Sequence, residues 1–314
     1  MKKYNSDNLI AITGTNGFVG SALSKELSLR KINHKKLQRK EEDNVTVIDS
    51  IGPNTQWAKA LVGVDTVIHC AGFAHQNKIN SQINFLLYDE INHKGTINLA
   101  KQAADQGVKR FIFISSIKVN GESSYEIPFT SKDEVNPKDP YSISKQKAEK
   151  GLKKIAKNGK MEIVIIRPPL IYGPGAKGNF KKLIKIINLG LPLPLKKIKN
   201  KRSFIFIDNL VDFIIECIYS PSASGKTLLI SDDIVISTKD LIEKMAFHLN
   251  KKIFFFYCPK LLLTFALKMI GKKDLIRKLL GSLEIDNYSA YETIKWKPPY
   301  SFDEGIRKTI TFEN

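Results

Sequence analysis

Leu9-Ile10-Ala11-Ile12-Thr13-Gly14-Thr15-Asn16-Gly17-Phe18-Val19-Gly20 is followed by a helical pattern from Ser21 to Leu29. A short apolar run, a glycine-rich turn and a helix open a dinucleotide-binding unit. The spacing is G-x-x-G-x-x-G. Gly14 permits the tight turn, Gly17 lets the backbone approach a pyrophosphate, and Gly20 allows close helix–strand packing. The pyrophosphate then sits at a helix N-terminus, where free backbone N–H groups and the helix dipole favour an anion. Gly14, Asn16, Gly17, Phe18, Val19 and Gly20 are the expected cofactor contacts of this turn. The plainer reading is a glycine turn without a ligand.

Outward from this turn, a second strand is expected at His34 to Leu37. An NAD site usually ends that strand with a carboxylate for the ribose 2′-OH; here the stretch is Leu37-Gln38-Arg39-Lys40. Arg39 suits a 2′-phosphate, which favours NADP(H), with NAD(H) as the alternative and a solvated loop cation as the plain reading. Val45 to Asp49 reads as a third strand, with Asp49 placed to meet the adenine amine. Thr66 to Gly72 reads as a fourth, whose small residues around Ala71 leave room for a cofactor. His69 and His75 read as core or loop histidines, since neither has a metal-ligand partner at suitable spacing. Asn84 to Gly107 carries a long helical pattern. Lys109 to Ser116 is a fifth strand with four successive apolar residues, as suits a central parallel strand buried on both faces. Ile163 to Ile166 is the sixth.

This alternation predicts an α/β fold of Rossmann type, a doubly wound parallel sheet. After Tyr172 the pattern loosens. Residues 1–172 are expected to form a dinucleotide-binding domain and 173–314 a smaller α+β substrate lobe, with some chain returning to the sheet near 203–212. In that lobe Phe204 to Ile207 and Thr227 to Ile230 read as strands. Asp208 reads as the N-cap of a helix from Leu210 to Tyr219, and Thr238 to Leu280 as a hairpin-like helical region.

Pro140-Tyr141-Ser142-Ile143-Ser144-Lys145 puts Tyr141 and Lys145 on one helix face, one turn apart. A phenol has an unperturbed pKa near ~10, and a neighbouring cation favours the phenolate. Bringing it to ~7 takes roughly 4 kcal/mol, within reach where a second positive charge, such as a nicotinamide ring, lies close. Alone, Y-x-x-x-K is a weak signal that recurs as surface pairing. Its weight comes from the strand before it, which ends in Ser115-Ser116 at the carboxyl edge where doubly wound sheets bind ligands.

Composition narrows the classes. The chain has 314 residues, 42% of them hydrophobic, enough for a full globular core. Its three cysteines lack C-x-x-C spacing, so neither a disulfide framework nor structural zinc is expected, and a reducing compartment, the cytoplasm, is. Met1 to Asn8 lacks the apolar stretch of a signal peptide. No apolar run reaches membrane-spanning length; Ile253 to Ile270 is broken by Pro259, Lys260 and Lys268. The net charge of +19 raises nucleic-acid binding. The cations are spread along the chain and the lysine clusters lack interleaved aromatics, so no nucleic-acid partner is expected. Attraction to anionic ligands, or weak peripheral contact with an anionic membrane through Ile253 to Lys273, stays open.

Several motifs occur together: Gly14-x-x-Gly17-x-x-Gly20, Ser115-Ser116-x-x-Val119-Asn120-Gly121, Tyr141-x-x-x-Lys145, Arg167-Pro168 with Tyr172-Gly173-Pro174-Gly175, and Arg202 before Phe204 to Asp208. Jointly they resemble the extended short-chain dehydrogenase/reductase family, over essentially the whole chain. Its similar members are nucleotide-sugar enzymes of the UDP-glucose 4-epimerase type. Ser115 to Glu122, Arg167 to Gly175, Gly190 to Pro194 and Asp208 to Asp212 look like the UDP-N-acetylquinovosamine dehydrogenase subgroup of surface-polysaccharide (O-antigen) pathways.

The resemblance implies reduction of the C4 keto group of a UDP-2-acetamido-2,6-dideoxy-4-keto-hexose to UDP-N-acetylquinovosamine. It implies Tyr141 as acid/base, Lys145 as its partner and ribose contact, and Ser116 as the catalytic hydroxyl. Pro168 would touch the cofactor. Arg202 would meet the substrate diphosphate, with Asn179 and Lys118 as further substrate contacts. A homodimer through the helices 84–107 and 141–156 is the family habit, although their apolar stripes could equally face the sheet. Two departures stand out: Gln38 replaces an acid, which weakens tight NAD binding, and Asn120 replaces a tyrosine. The alternative is a UDP-hexose 4-epimerase with tightly held NAD, acting on UDP-glucose or UDP-N-acetylglucosamine. A non-enzymatic NADP sensor is the third reading, against which the intact Ser116, Tyr141 and Lys145 set speaks.

Overall fold

The structure, a computed structural model, describes residues 8–39, 45–48, 50–73, 85–176, 178–269, 271 and 273–313. Its larger sheet comprises β1 (Ile10–Thr13), β2 (His34–Gln38), β3 (Val45–Val47), β4 (Thr66–His69), β5 (Arg110–Ile114), β6 (Glu162–Arg167) and β9 (Thr227–Leu229). Spatial order is β3-β2-β1-β4-β5-β6-β9, with every pairing parallel. The order reverses between β1 and β4, which opens a crevice at their carboxyl ends.

Both faces of this sheet are covered, and the strands show it residue by residue. Ile10, Ile12, Ile112, Ile114, Val164 and Ile166 join one core; Ala11, Phe111, Phe113, Ile163 and Ile165 join the other. That is the two-residue period of strands buried on both sides. The first face is covered by α1 (Phe18–Leu29), through Leu23 and Leu27, and by α5 (Ile207–Tyr219), through Leu210, Phe213 and Ile214. The second face is covered by α2 (Thr96–Asp105) and α3 (Pro140–Asn158), whose Leu99, Ala103, Ala148 and Leu152 lie in the core. The apolar stripes of α2 and α3 therefore face the sheet. The helical pattern expected up to residue 107 includes a π-helix, Tyr88–Gly95, immediately before α2; π segments of this kind recur at functional sites.

A second sheet has the order β10-β8-β7, formed by β7 (Leu170–Tyr172), β8 (Arg202–Phe206) and β10 (Val235–Ile236). The strand that the second half adds to the large sheet is β9, while the stretch 203–212 returns to that sheet only as the start of α5, through Leu210 on the first face. Residues 202–206 belong to the small sheet, and the chain after them is helix α5, packed on α1. Asp208 is not the N-cap either. Helix α5 starts at Ile207, whose side chain is buried in the first core, and Phe206 holds the cap position. Asp208 sits in the first helical turn, where a carboxylate suits the dipole, and accepts from Lys308 Nζ at 3.2 Å.

Asp232 binds these parts together. Its carboxylate accepts from Tyr172 Oη (2.8 Å), Asn209 Nδ2 (2.8 Å) and the Phe206 N–H (3.1 Å), linking β7, β8 and α5. Burial outweighs these neutral donors and pushes its pKa up to about 6. The remaining helices are α4 (Asn179–Asn188), α6 (Thr238–His248), α7 (Lys260–Met269), α8 (Lys273–Leu280), α9 (Tyr288–Ile294), which packs against β9, and α10 (Phe302–Glu313). The region 238–280 holds three helices rather than a hairpin. The first core runs without a break from Ile10 to Ile310, through both halves of the chain. Among the described residues no helix is long and apolar enough to cross a membrane.

Candidate active site

The turn after β1 is tight because two of its glycines have no room for a side chain. A Cβ on Gly14 would lie 2.6 Å from the Ala71 backbone nitrogen, and one on Gly20 would lie 2.3 Å from the Gly14 carbonyl oxygen. Gly14 also has a φ of +75° and accepts a hydrogen bond from the Gly17 N–H at 2.9 Å. Gly17 caps α1 without a side-chain hydrogen bond, so the first-turn N–H groups stay available to an anion. Phe18 and Val19 form that first turn.

A cavity of about 410 Å³ opens beside the turn, lined by Asn16, Gly17, Gln38, Arg39 and Ala71 among others. Gln38 is buried at the end of β2 and donates from Nε2 to Thr15 Oγ1 at 2.7 Å. Its Oε1 is buried without a partner among the described residues. A buried carbonyl oxygen in that state calls for a donor, and a ribose hydroxyl supplies one. The cradle and this orphaned acceptor fit a dinucleotide. Arg39 is exposed at the cavity edge. Asp49 and His75 lie outside the described residues.

Below the cradle, His69 is fully buried as a structural residue. Thr96 Oγ1 donates to the Asn92 carbonyl and so accepts from His69 Nε2 at 3.0 Å, which leaves Nδ1 to accept from Thr13 Oγ1 at 2.7 Å. Burial, with the nearby Lys145 charge, pulls its pKa down to about 3, so the imidazole is neutral.

Helix α3 presents Tyr141 and Lys145. Its start is well specified. Pro140 occupies the first position, Asp139 Oδ1 accepts from the Ser142 N–H at 2.7 Å, and Ser142 Oγ accepts from the Asp139 N–H at 3.1 Å. Lys145 is 3% exposed and donates to the Ile114 carbonyl at 2.9 Å, tying the helix to the end of β5. Its Nζ also stands 4.5 Å from the Phe113 ring centroid and 6.0 Å from that of Tyr141. Burial lowers its pKa to about 8, so it remains a cation at neutral pH. The expected lowering of the Tyr141 pKa is not produced by the chain alone: burial raises it, with Asp139 and Tyr88 adding in the same direction. Desolvation of the phenolate is the larger effect here.

Ser116 stands two residues past β5, with Oγ accepting weakly from the Lys118 N–H at 3.3 Å. Its neighbour Ser115 turns inward, donating to Glu149 Oε1 at 2.6 Å. Lys118 Nζ is paired with Asp139 Oδ2 at 2.6 Å, which joins the Ser116 loop to the start of α3. Pro168 is buried, and its carbonyl accepts from the Ile117 N–H at 3.0 Å. Arg202 lies apart on β8, half-buried, donating from Nη1 to the Gly281 carbonyl at 3.2 Å; burial lowers its pKa. Asn179 opens α4, and its side chain lies outside the described part.

Two supporting groups had no assigned place in the sequence reading. Asn92, in the π-helix, accepts from the Phe73 N–H (2.7 Å) and donates to the Phe73 carbonyl (3.0 Å) and Ser144 Oγ (3.2 Å), fixing the β4 loop against α3. Glu149 forms a buried bidentate pair with Arg167, which also donates to Asn120 Oδ1 at 2.8 Å, while Asn120 donates to the Thr130 carbonyl. This accounts for an amide at position 120. The available signal was Glu149 itself, four residues after Lys145 on the same helix face, since a buried carboxylate needs a cation. Among the described residues no group of His, Cys, Asp or Glu could hold a metal ion.

The model of the NAD dependent epimerase/dehydratase family matches residues 10–231. The chain is 41% identical over 307 residues to a UDP-glucose 4-epimerase of Vibrio cholerae, covering 96% of this chain and 94% of that one. It is 28% identical over 327 residues to the N-acetyl-alpha-D-glucosaminyl-diphospho-ditrans,octacis-undecaprenol 4-epimerase of Escherichia coli O157:H7, covering 98% and 96%. Among solved structures it is similar in fold to a UDP-glucuronic acid 4-epimerase from Bacillus cereus in complex with NAD, at a TM-score of 0.77 and 20% identity, covering 97% and 96%.

Proposed function

The chain belongs to the NAD-dependent epimerase/dehydratase family, and from that premise we propose that it is a UDP-hexose 4-epimerase. Its substrate in this reading is UDP-glucose or UDP-N-acetylglucosamine, and its cofactor is NAD. The observation that carries the reading is the likeness to the Vibrio cholerae enzyme over nearly the whole of both chains. Gln38 supports the cofactor choice: buried at the end of β2, it places an uncharged amide and no cation at this position.

Bound in the crevice, the nicotinamide supplies a reversible hydride acceptor. The side chains do the rest. Tyr141 Oη takes the proton from the sugar O4 and later returns it. Ser116, whose Oγ meets only a weak donor at 3.3 Å, donates its own hydrogen to O4 and holds it in place. Lys145 keeps its charge at neutral pH and contributes positive potential at the site where an alkoxide develops. The chain alone leaves Tyr141 neutral, so its ionisation depends on charge brought into the site. Residues 1–172 serve the dinucleotide and 173–314 the UDP-sugar, with Arg202 on the diphosphate and Lys118 and Asn179 toward the sugar.

Arg39, exposed at the edge of the same cavity, favours a second reading: an NADP(H)-dependent 4-keto reductase making UDP-N-acetylquinovosamine. One assay separates the two. Purified protein given UDP-glucose without added cofactor is expected to form UDP-galactose with no net change in NADH. Consumption of NADPH by a UDP-2-acetamido-2,6-dideoxy-4-keto-hexose, with no epimerisation, would install the reductase. In either case Tyr141→Phe is expected to bind nucleotide normally and lose on the order of 10²–10⁴ in kcat; unchanged turnover would remove Tyr141 from the chemistry. Calorimetry of NAD against NADP is expected to favour NAD, with Gln38→Asp widening the gap.

A further inference from the structure

Helix α7 carries apolar residues on two sides. Leu263 and Leu267 are in the core. Leu261, Phe265 and Met269 form a second stripe at four-residue spacing, exposed at 84, 63 and 71%. The extended segment before α7 does the same at two-residue spacing. Phe255 pairs with Leu193 and is half-buried, while Phe254 and Phe256 are exposed. Scattered exposed apolar residues need no explanation, but a concentration of this kind marks an interaction surface.

The surroundings are basic. Residues 244–283 contain nine lysines and arginines and one acid, Asp274, with Lys244 paired to Asp303 and Arg277 to Glu122 and with Glu243 and Glu284 flanking the stretch. Lys251, Lys252, Lys260 and Lys268 are exposed and have no acidic partner among the described residues. Lys197 Nζ lies 4.6 Å from the ring centroid of the exposed Tyr257.

We propose that this face docks on an anionic lipid bilayer. Leu261, Phe254, Phe256, Phe265 and Met269 enter the headgroup boundary, and the lysines meet the lipid phosphates, the combination that holds peripheral proteins at membranes. A second copy of the chain is the poorer fit, because a two-fold contact would set lysines against lysines. Single-stranded nucleic acid is poorer too, because Leu261 and Met269 offer bases nothing to stack on. The inference is independent of which reaction the site performs.

The test is co-sedimentation of the full chain with vesicles of mixed phosphatidylglycerol and phosphatidylcholine, against vesicles of phosphatidylcholine alone. Binding is expected to the anionic vesicles only, and to weaken in high salt. Leu261→Asp with Phe265→Asp is expected to abolish it with melting temperature and nucleotide binding unchanged. Lys251→Gln and Lys252→Gln are each expected to weaken it roughly fivefold. Failure to sediment with anionic vesicles, or equal binding to both kinds, would overturn the proposal. So would a doubled mass in light scattering, or capture of a single-stranded oligonucleotide, that the aspartate pair removes.

Discussion

Glu149 and Asp232 are both buried carboxylates, at 3 and 2% exposure, and each is the centre of a hydrogen-bond network. They are compensated in opposite ways. Glu149 faces the Arg167 guanidinium, so charge meets charge beneath Ser115 and Asn120. Asp232 faces a phenol, an amide and a backbone N–H, which supply hydrogen bonds but no net positive charge. Burial therefore raises the Asp232 pKa to about 6. The layer beneath Ser115 and Asn120 rests on a charge-compensated pair, while the junction of the small sheet contains a group whose pKa is pushed up to about 6.

The largest expected effect comes from breaking the first arrangement. Arg167→Met strands Glu149 as an uncompensated buried charge, and urea unfolding at pH 7 is expected to show a loss of about 3–5 kcal/mol. Adding Glu149→Gln to that variant is expected to restore most of it. If the double variant is no better than the single, lost packing and not charge explains the cost.

The second effect concerns Asp232. A carboxyl whose folded pKa lies above its unfolded value near 3.8 binds more protons in the folded state between those two values. Stability therefore falls as pH rises from about 4 to about 6 and levels off above, by roughly 3 kcal/mol in all. Asp232→Asn is expected to remove that slope, as read from urea midpoints across the range. A slope that survives the substitution would assign it to another group.

The smallest effect tests the partly exposed counterpart. Lys118 and Asp139 pair at 37 and 29% side-chain exposure, and such pairs contribute at most ~1 kcal/mol. Lys118→Met is expected to cost no more than that in stability. If Lys118 also meets the sugar, KM rises in this variant while kcat holds.

The parallel sheet was readable because its signals are local. Ile10 to Gly20 states strand, turn and helix in succession, and Phe111 to Ile114 can be buried on both faces only in a sheet of this type. Tyr141 and Lys145 were readable for the same reason, since four residues on a helix is a short-range relation. Asp232 was not, because its partners lie 60 and 23 positions away, at Tyr172 and Asn209. The start of α5 was misjudged because Asp208 is a good cap by type, and only the burial of Ile207 shows that the helix begins earlier. The direction of the Tyr141 shift needed the extent of its desolvation, which no spacing records.

Strand β9 and helix α5 come from the second half of the chain, yet they finish the edge and one face of the first half's sheet. Residue 172 is therefore not a boundary between two separate bodies of packed chain. A chimera joined there would carry a borrowed lobe together with part of a borrowed foundation, and its halves would have to agree along β6, β9, α1 and α5 before any question of specificity arose. Changes of sugar preference in such a molecule are more accessible by replacing surface loops than by recombination. The first core is shared between the two halves, whereas the second belongs to the first half alone.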